Sequence, residues 1–345
     1  MSDATIAISV IWLFLFIYSL LGSVDFGAGF WAMVYAGKGM EDNTRASVLA
    51  NRYLSPSWKI TNTFLVLLVV ALFGFFPGAT YPLASLLLLP VCLVLVLLTI
   101  RSTFMVYGYH AKKFQRALRI ISGITGLLIP CLLVTVLIVT LGGFITEAPD
   151  GTLSLNYGKL LVSPTLYAHL AFGLATELFF SALFLADYAH EARDRSTYIV
   201  YRRLAVIFGP ISMISALLVT FTMLPEARWI VEQFRQQLPL FGLSALTFIV
   251  GYVFLFIKRK DGWVGYTRVT VTLIAIQYAL ASIAYGRAHL PYIIYPYLTL
   301  EEGVTNPTVL RSLLIGYTVS TLLLIPVFII FWKLFLKDKR YLKQE

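Results

Sequence analysis

Polar residues in this chain come in short bunches, and the stretches between the bunches are almost wholly apolar. Nine such stretches stand out, near 6–35, 57–77, 82–106, 117–145, 162–187, 200–224, 238–258, 264–288 and 308–336. A helix crossing a hydrocarbon layer of about 30 Å needs roughly 20 residues, and each stretch supplies them. Backbone inside that layer must satisfy its own hydrogen bonds, which makes helix the form these stretches take. The pattern predicts an all-α integral membrane protein with about nine transmembrane helices, residues 1–345 forming a single polytopic domain. Segments one to four and five to eight start from the same side. The first helix of each set carries one intramembrane acid, Asp25 and Glu177, and the third ends at a basic residue, Arg101 and Lys258. This suggests two parallel four-helix bundles, as pseudo-repeats 1–145 and 160–290, with a peripheral ninth helix at 308–336. Pro90, Pro130, Pro210 and Pro326 fall within helices and should bend them locally.

Composition agrees: 59% of residues are hydrophobic, only 13% are charged, and mean hydropathy is +0.82, outside the range of soluble domains. The net charge of +10 raises nucleic acid as a partner, but its distribution argues for topology instead. Every Lys and Arg except Lys159, Arg228, Arg235, Arg287 and Arg311 lies in or beside alternate connections and the C-terminal tail. By the positive-inside rule that set is cytoplasmic, so the N-terminus is outside and the C-terminus inside. No nucleic-acid partner is expected. The N-terminal Met-Ser-Asp-Ala carries no basic residue, and the first segment reads as a retained helix instead of a signal peptide. Cys92 and Cys131 lie in apolar runs without ligand spacing and read as packing residues.

Candidate chemistry begins at Gly22-Ser-Val-Asp25-Phe-Gly27-Ala-Gly29 in the first helix. A carboxylate costs roughly 2.5–3.5 kcal/mol at a membrane helix centre, so its presence points to function or to a structural ion pair. Gly22, Asp25 and Gly29 share a helical face, and the glycines let a second backbone come close. On the same inner side, Ser55-Pro56-Ser57-Trp58-Lys59 has residues suited to opening helix two. Lys59, Asn62 and Thr63 then share a face, and Arg101 closes helix three. Lys59 is the expected counter-ion of Asp25. A second group is the stripe His169, Gly173, Glu177 and Ser181 on helix five, whose spacing of four suits either a proton relay or a hydrogen-bonded packing seam. Glu226 is expected in a wet outer loop. The four histidines, His110, His169, His190 and His289, lie in loops or near the surfaces without ligand spacing, so neither metal nor haem is expected on this chain.

Asp25-Phe-Gly-Ala-Gly29, Ser55-Pro-Ser-Trp58 and Thr99-Ile-Arg101, together with about nine helices, resemble subunit II of cytochrome bd-type quinol oxidases. The specific motifs cover roughly residues 20–110. The resemblance implies a pseudosymmetric partner of a haem-bearing subunit I in a bacterial cytoplasmic membrane, within an oxidase that takes electrons from quinol and reduces oxygen to water. It implies that haems b and d sit in the partner and that no catalytic residue lies in this chain. Subunit II would be a scaffold that contributes to a proton route and holds a lipid or quinone, with a small third subunit open. Asp25, Trp58 and Arg101 carry over by matched position. Lys59 stands where the family usually has an acid, which removes that position's proton role from the carry-over. A secondary transporter using Asp25 and Glu177 as coupling groups is the alternative reading.

Overall fold

The computed structural model describes residues 2–36, 41–108 and 115–335. Among them, nine helices are long and apolar enough to span a membrane. They are α1 (Asp3–Val34), α2 (Glu41–Phe75), α3 (Thr80–Gly108), α4 (Gln115–Thr140), α5 (Pro164–Glu191), α6 (Arg195–Thr222), α7 (Leu238–Val253), α8 (Thr267–His289) and α9 (Pro307–Phe335). Several begin where local chemistry satisfies the first free N–H groups. Ser2 accepts from Thr5 at α1, Ser163 precedes Pro164 at α5, and Asp194 accepts from Thr197 at α6. The four prolines inside α3, α4, α6 and α9 leave each helix continuous.

Boundaries of α2 and of the seventh crossing differ from those expected. Ser55-Pro56 does not open α2, which starts at Glu41. The added turns bury Ala46, Leu49, Ala50 and Tyr53 in the same core as Trp31, Leu183 and Tyr201, and that packing extends the helix past the local start signal. The seventh crossing starts early, as the short helix Arg228–Phe234 and a turn of 3-10 helix lead into α7. It also ends early, at Val253, and residues 254–266 fold back with Lys258 bridged to Val264.

α1 packs on α2, α4 and α5, while α5 packs on α1, α4, α6 and α8. α3 lies on α4, and α7 on α8. The pairs α1–α2, α1–α4 and α3–α4 thus recur as α5–α6, α5–α8 and α7–α8. α9 touches α1 and α2 and otherwise exposes apolar residues such as Ile315, Leu322 and Leu323. One end of the molecule gathers the start of α1, the antiparallel hairpin β1 (Ile145–Glu147)/β2 (Leu153–Leu155) and the second hairpin β3 (Tyr292–Ile294)/β4 (Leu298–Thr299) over a shared core. At the other end Tyr201 donates to the Ala46 carbonyl, and Arg195 to that of Gly262.

Candidate functional site

The α1 motif lies where three helices converge. Asp25 is 2% exposed, and its Oδ1 accepts from Ser57 Oγ of α2 at 3.0 Å. Its Oδ2 meets an Arg101 Nη2 of α3 at 3.3 Å, with both side chains 3% exposed. The same guanidinium donates to the Asp25 carbonyl at 3.0 Å and to the Ser122 carbonyl of α4 at 2.7 Å, and it lies 5.0 Å from the centre of the Phe26 ring. A buried ion pair recovers its desolvation only when its remaining donors are satisfied, and here two carbonyls and a ring do that for Arg101.

Glycines set the distances. A Cβ on Gly29 would lie 3.0 Å from Arg101 Nη1 and 3.1 Å from Ser122 Oγ, so this glycine admits the guanidinium. Gly126 of α4 does the same, its Cβ position lying 3.1 Å from Arg101 Nη1 and 2.6 Å from the Phe26 carbonyl of α1. Gly27 instead faces α5, where a Cβ would overlap the Ser181 hydroxyl. Gly22 faces Phe26 and Thr61 more loosely. The glycines of this motif therefore face α2, α3, α4 and α5 between them instead of a single neighbour.

The α5 stripe runs along α4 and α1. Gly173 takes Val134 of α4, and Ser181 accepts from Trp31 Nε1 at 2.9 Å while donating to the Glu177 carbonyl at 2.7 Å. Glu177 is 1% exposed, and neither carboxyl oxygen has a partner among the described residues. His169, at the other end of the stripe, bonds through Nδ1 to the Thr165 carbonyl at 2.8 Å. The structure thus brings Asp25 and Arg101 into contact and buries Glu177 on the neighbouring α5.

Lys59 and Asn62 stay outside. Lys59 is exposed, Asn62 half-buried, and the acid's oxygens are taken by Ser57 and Arg101. The expected Lys59–Asp25 pair is not formed, because α2 is turned to present Ser57 to the acid and Lys59 to the surface. Trp58 is half-buried, with an indole N–H that has no partner among the described residues. Glu226 also departs from expectation. It is half-buried and accepts from Ser163 Oγ at 2.8 Å and from Thr165 Oγ1, tying the turn after α6 to the start of α5. Ser122 and Gly126 were not singled out from the sequence, although their small-x-x-x-small spacing on α4 is the signal that would have found them.

The model of the family described as cytochrome bd terminal oxidase subunit II matches residues 3–335. The chain belongs to that family. A protein of Bacillus subtilis (strain 168), named as subunit II of a cytochrome bd menaquinol oxidase, is 46% identical over 346 residues, covering 100% of this chain and 99% of that one. A chain in the structure of bd oxidase from Geobacillus thermodenitrificans superposes with a TM-score of 0.83 at 34% identity, covering 98% of this chain and 100% of that one. This subunit II is therefore a multi-pass membrane component of a quinol oxidase, and membership favours that reading over the transporter.

The family implies haem in the complex, and the described histidines are held among protein groups. His169 is engaged with a carbonyl, and His190 packs at 4.9 Å on Trp263 and lies 3.8 Å from Asp261. His289 is wedged between Trp229 at 5.4 Å and Tyr285 at 6.0 Å. Its two ring nitrogens have no hydrogen-bond partner among the described residues. His110 lies outside the described residues.

Proposed function

We propose that this chain is the haem-free subunit II of a cytochrome bd-type menaquinol oxidase, docked against a haem-bearing subunit I that oxidises quinol and reduces oxygen to water. Menaquinol is inferred from the name of the Bacillus subtilis relative, and the subunit I partner is supported by the likeness to a bd oxidase chain. The histidine surroundings favour placing haems b and d in the partner.

One observation carries the chain's own role: a buried Asp25–Arg101 pair, and on neighbouring α5 a buried Glu177 carboxyl without a partner among the described residues, all within helices that otherwise span a membrane. Ionisable groups at that depth mark proton routes or fixed ion pairs, and this seam supplies both a fixed pair and a free acid. The chain therefore scaffolds the complex and lines a proton route from the cytoplasm. Charge placement supports an outer N-terminus and a cytoplasmic C-terminus. The recurring helix pairs support two parallel four-helix units with α9 outside them. Lipid covers the exposed apolar faces of α3 and α9, and the reading leaves room for a bound quinone and a small third subunit.

The test is a reduced-minus-oxidised spectrum. The complex with its subunit I is expected to show b- and d-type bands, and this chain purified alone to show none. A stoichiometric haem retained by the isolated chain would overturn the division of labour.

A further inference from the structure

α6 and α7 are joined through the turn after Thr222, the short helix Arg228–Phe234 and the 3-10 turn Arg235–Gln237. One face of this connection is fixed to the body of the molecule. Ile230 is buried, Trp229 donates to the Leu141 carbonyl at 3.2 Å and stacks on Tyr295 at 4.2 Å, and Phe234 meets Phe241 at 5.2 Å. Arg228, Val231, Glu232 and Arg235 follow the spacing i, i+3, i+4 and i+7 and form a different face. With Leu224 and Pro225 these four line an open groove of about 450 Å³.

Charge in the groove is not balanced. Arg228 Nε donates to Glu232 Oε1 at 2.9 Å, with both side chains more than half exposed. Arg235 is exposed and makes no ion pair among the described residues, so the groove carries a net positive charge. Basic residues are sparse at this end of the molecule, and Lys159 and Arg311 are engaged, with the Gly143 carbonyl at 2.6 Å and Asp3 at 2.6 Å. Two of the remaining three, Arg228 and Arg235, meet in this one groove.

An apolar track leads to them. Ile214, Leu217 and Phe221 lie at i, i+3 and i+7 on α6, all exposed, and continue to the exposed Leu224 in the groove. Arg235 in turn comes just before the exposed Leu238, where the apolar helix α7 begins. In a membrane such a track is covered by hydrocarbon, and the residues just beyond it stand at the level of the headgroups. A guanidinium is the side chain whose fork matches the oxygens of a phosphate.

We propose that the groove between Leu224 and Arg235 binds an anionic phospholipid, with its phosphodiester on Arg235 and its acyl chains along Phe221, Leu217 and Ile214. Arg228 is the second ligand of the phosphate, and Glu232 competes with the phosphate for it, which sets how tightly the lipid is held. The site shares no residue with the Asp25–Arg101 seam, so the lipid site and the proton route can fail separately.

The test uses the two-subunit complex with Leu218→Cys, beside the track, as the one cysteine open to a bimane label, in bilayers of phosphatidylcholine. Chain-brominated phosphatidylglycerol and chain-brominated phosphatidylcholine are compared as quenchers at equal mole fraction. Phosphatidylglycerol is expected to associate about fivefold more strongly, the effect of one basic residue on an anionic lipid surface. Arg235→Gln should bring that ratio close to one, and raised ionic strength should lower it. Glu232→Gln should raise it above wild type, because Arg228 is released. Arg287→Gln removes a basic residue at the same end but outside the groove, and should leave the ratio unchanged. All four substituted positions are exposed, so the complex is expected to assemble in each case. Equal quenching by the two lipids, an Arg287→Gln loss as large as that of Arg235→Gln, or a ratio lowered by Glu232→Gln overturns the proposal. Absence of quenching by either lipid overturns it too, since protein would then cover this face.

Discussion

Gly27 and Gly29 sit two residues apart on α1 yet face different helices, and that difference is measurable. Adding a methyl at Gly27 drives it into Ser181 and within 3.2 Å of the Glu177 carbonyl, where neighbouring backbone cannot yield cheaply. At Gly29 the methyl meets a guanidinium at 3.0 Å, and at Gly22 it meets a ring edge at 3.3 Å that can rotate away. Overpacking a close-packed core costs typically ~1–3 kcal/mol, so thermal stability of the purified complex is expected to rank Gly22→Ala near wild type, Gly29→Ala lower and Gly27→Ala lowest. Glu226 supplies a second residue-level expectation. Its carboxylate caps two hydroxyls at the start of α5, and Glu226→Ala should cost about 1–3 kcal/mol, the penalty for buried groups left unpaired, where an exposed charge would cost almost nothing. Denaturation of the complex would check it, and a change below about 0.5 kcal/mol would return Glu226 to the wet loop.

Among the elements, the short helix Leu300–Gly303 shows how an exposed connection is held at the membrane surface. Glu302 accepts the Thr299 backbone N–H at 2.8 Å and its hydroxyl at 2.7 Å, closing a reciprocal cap. The backbone hydrogen bond, with help from the hydroxyl, holds the Glu302 carboxyl below the usual glutamate value. A lowered folded-state value means that the cap contributes fully above the ordinary glutamate pKa of about 4.3 and fades as pH falls through the lowered one. Amide-exchange protection across residues 299–303 should accordingly be flat at neutral pH and drop only in acid. Glu302→Gln should remove that pH dependence. The long α2 makes a different point at this scale. Its start at Glu41 is dictated by Ala46, Leu49, Ala50 and Tyr53 finding a core, and Pro56 is carried inside the helix as a consequence.

For the molecule as a whole, the parity of the nine crossings among the described residues is the decisive quantity. Gly151 and Asn306 lie in connections at the end that holds the start of α1, while Asp194 opens α6 at the other end. In a background lacking Cys92 and Cys131, single cysteines at Gly151 and Asn306 should react with an impermeant thiol reagent on intact cells. One at Asp194 should react only after the membrane is opened, and its labelling in intact cells would break the topology.

Hydropathy determined the class and the approximate spans from the sequence alone, because the bilayer acts on each segment by its own composition. The motif around Asp25, with Ser57-Trp58 and Arg101, likewise sufficed for the family, and the small-residue spacing marked α1 as a close-packing helix. Charge pairing was not legible in this way. Lys59 and Arg101 both lay on the inner side, and choosing between them required the rotation of α2 and α3 about their axes. That rotation is set by contacts between helices distant in sequence: Gly29 and Gly126 open the space that Arg101 fills, and Ser57 takes the place beside Asp25. The burial of Glu177 was decided the same way, since the fit of Gly27 against Ser181 and the Glu177 carbonyl sets α5 close against α1.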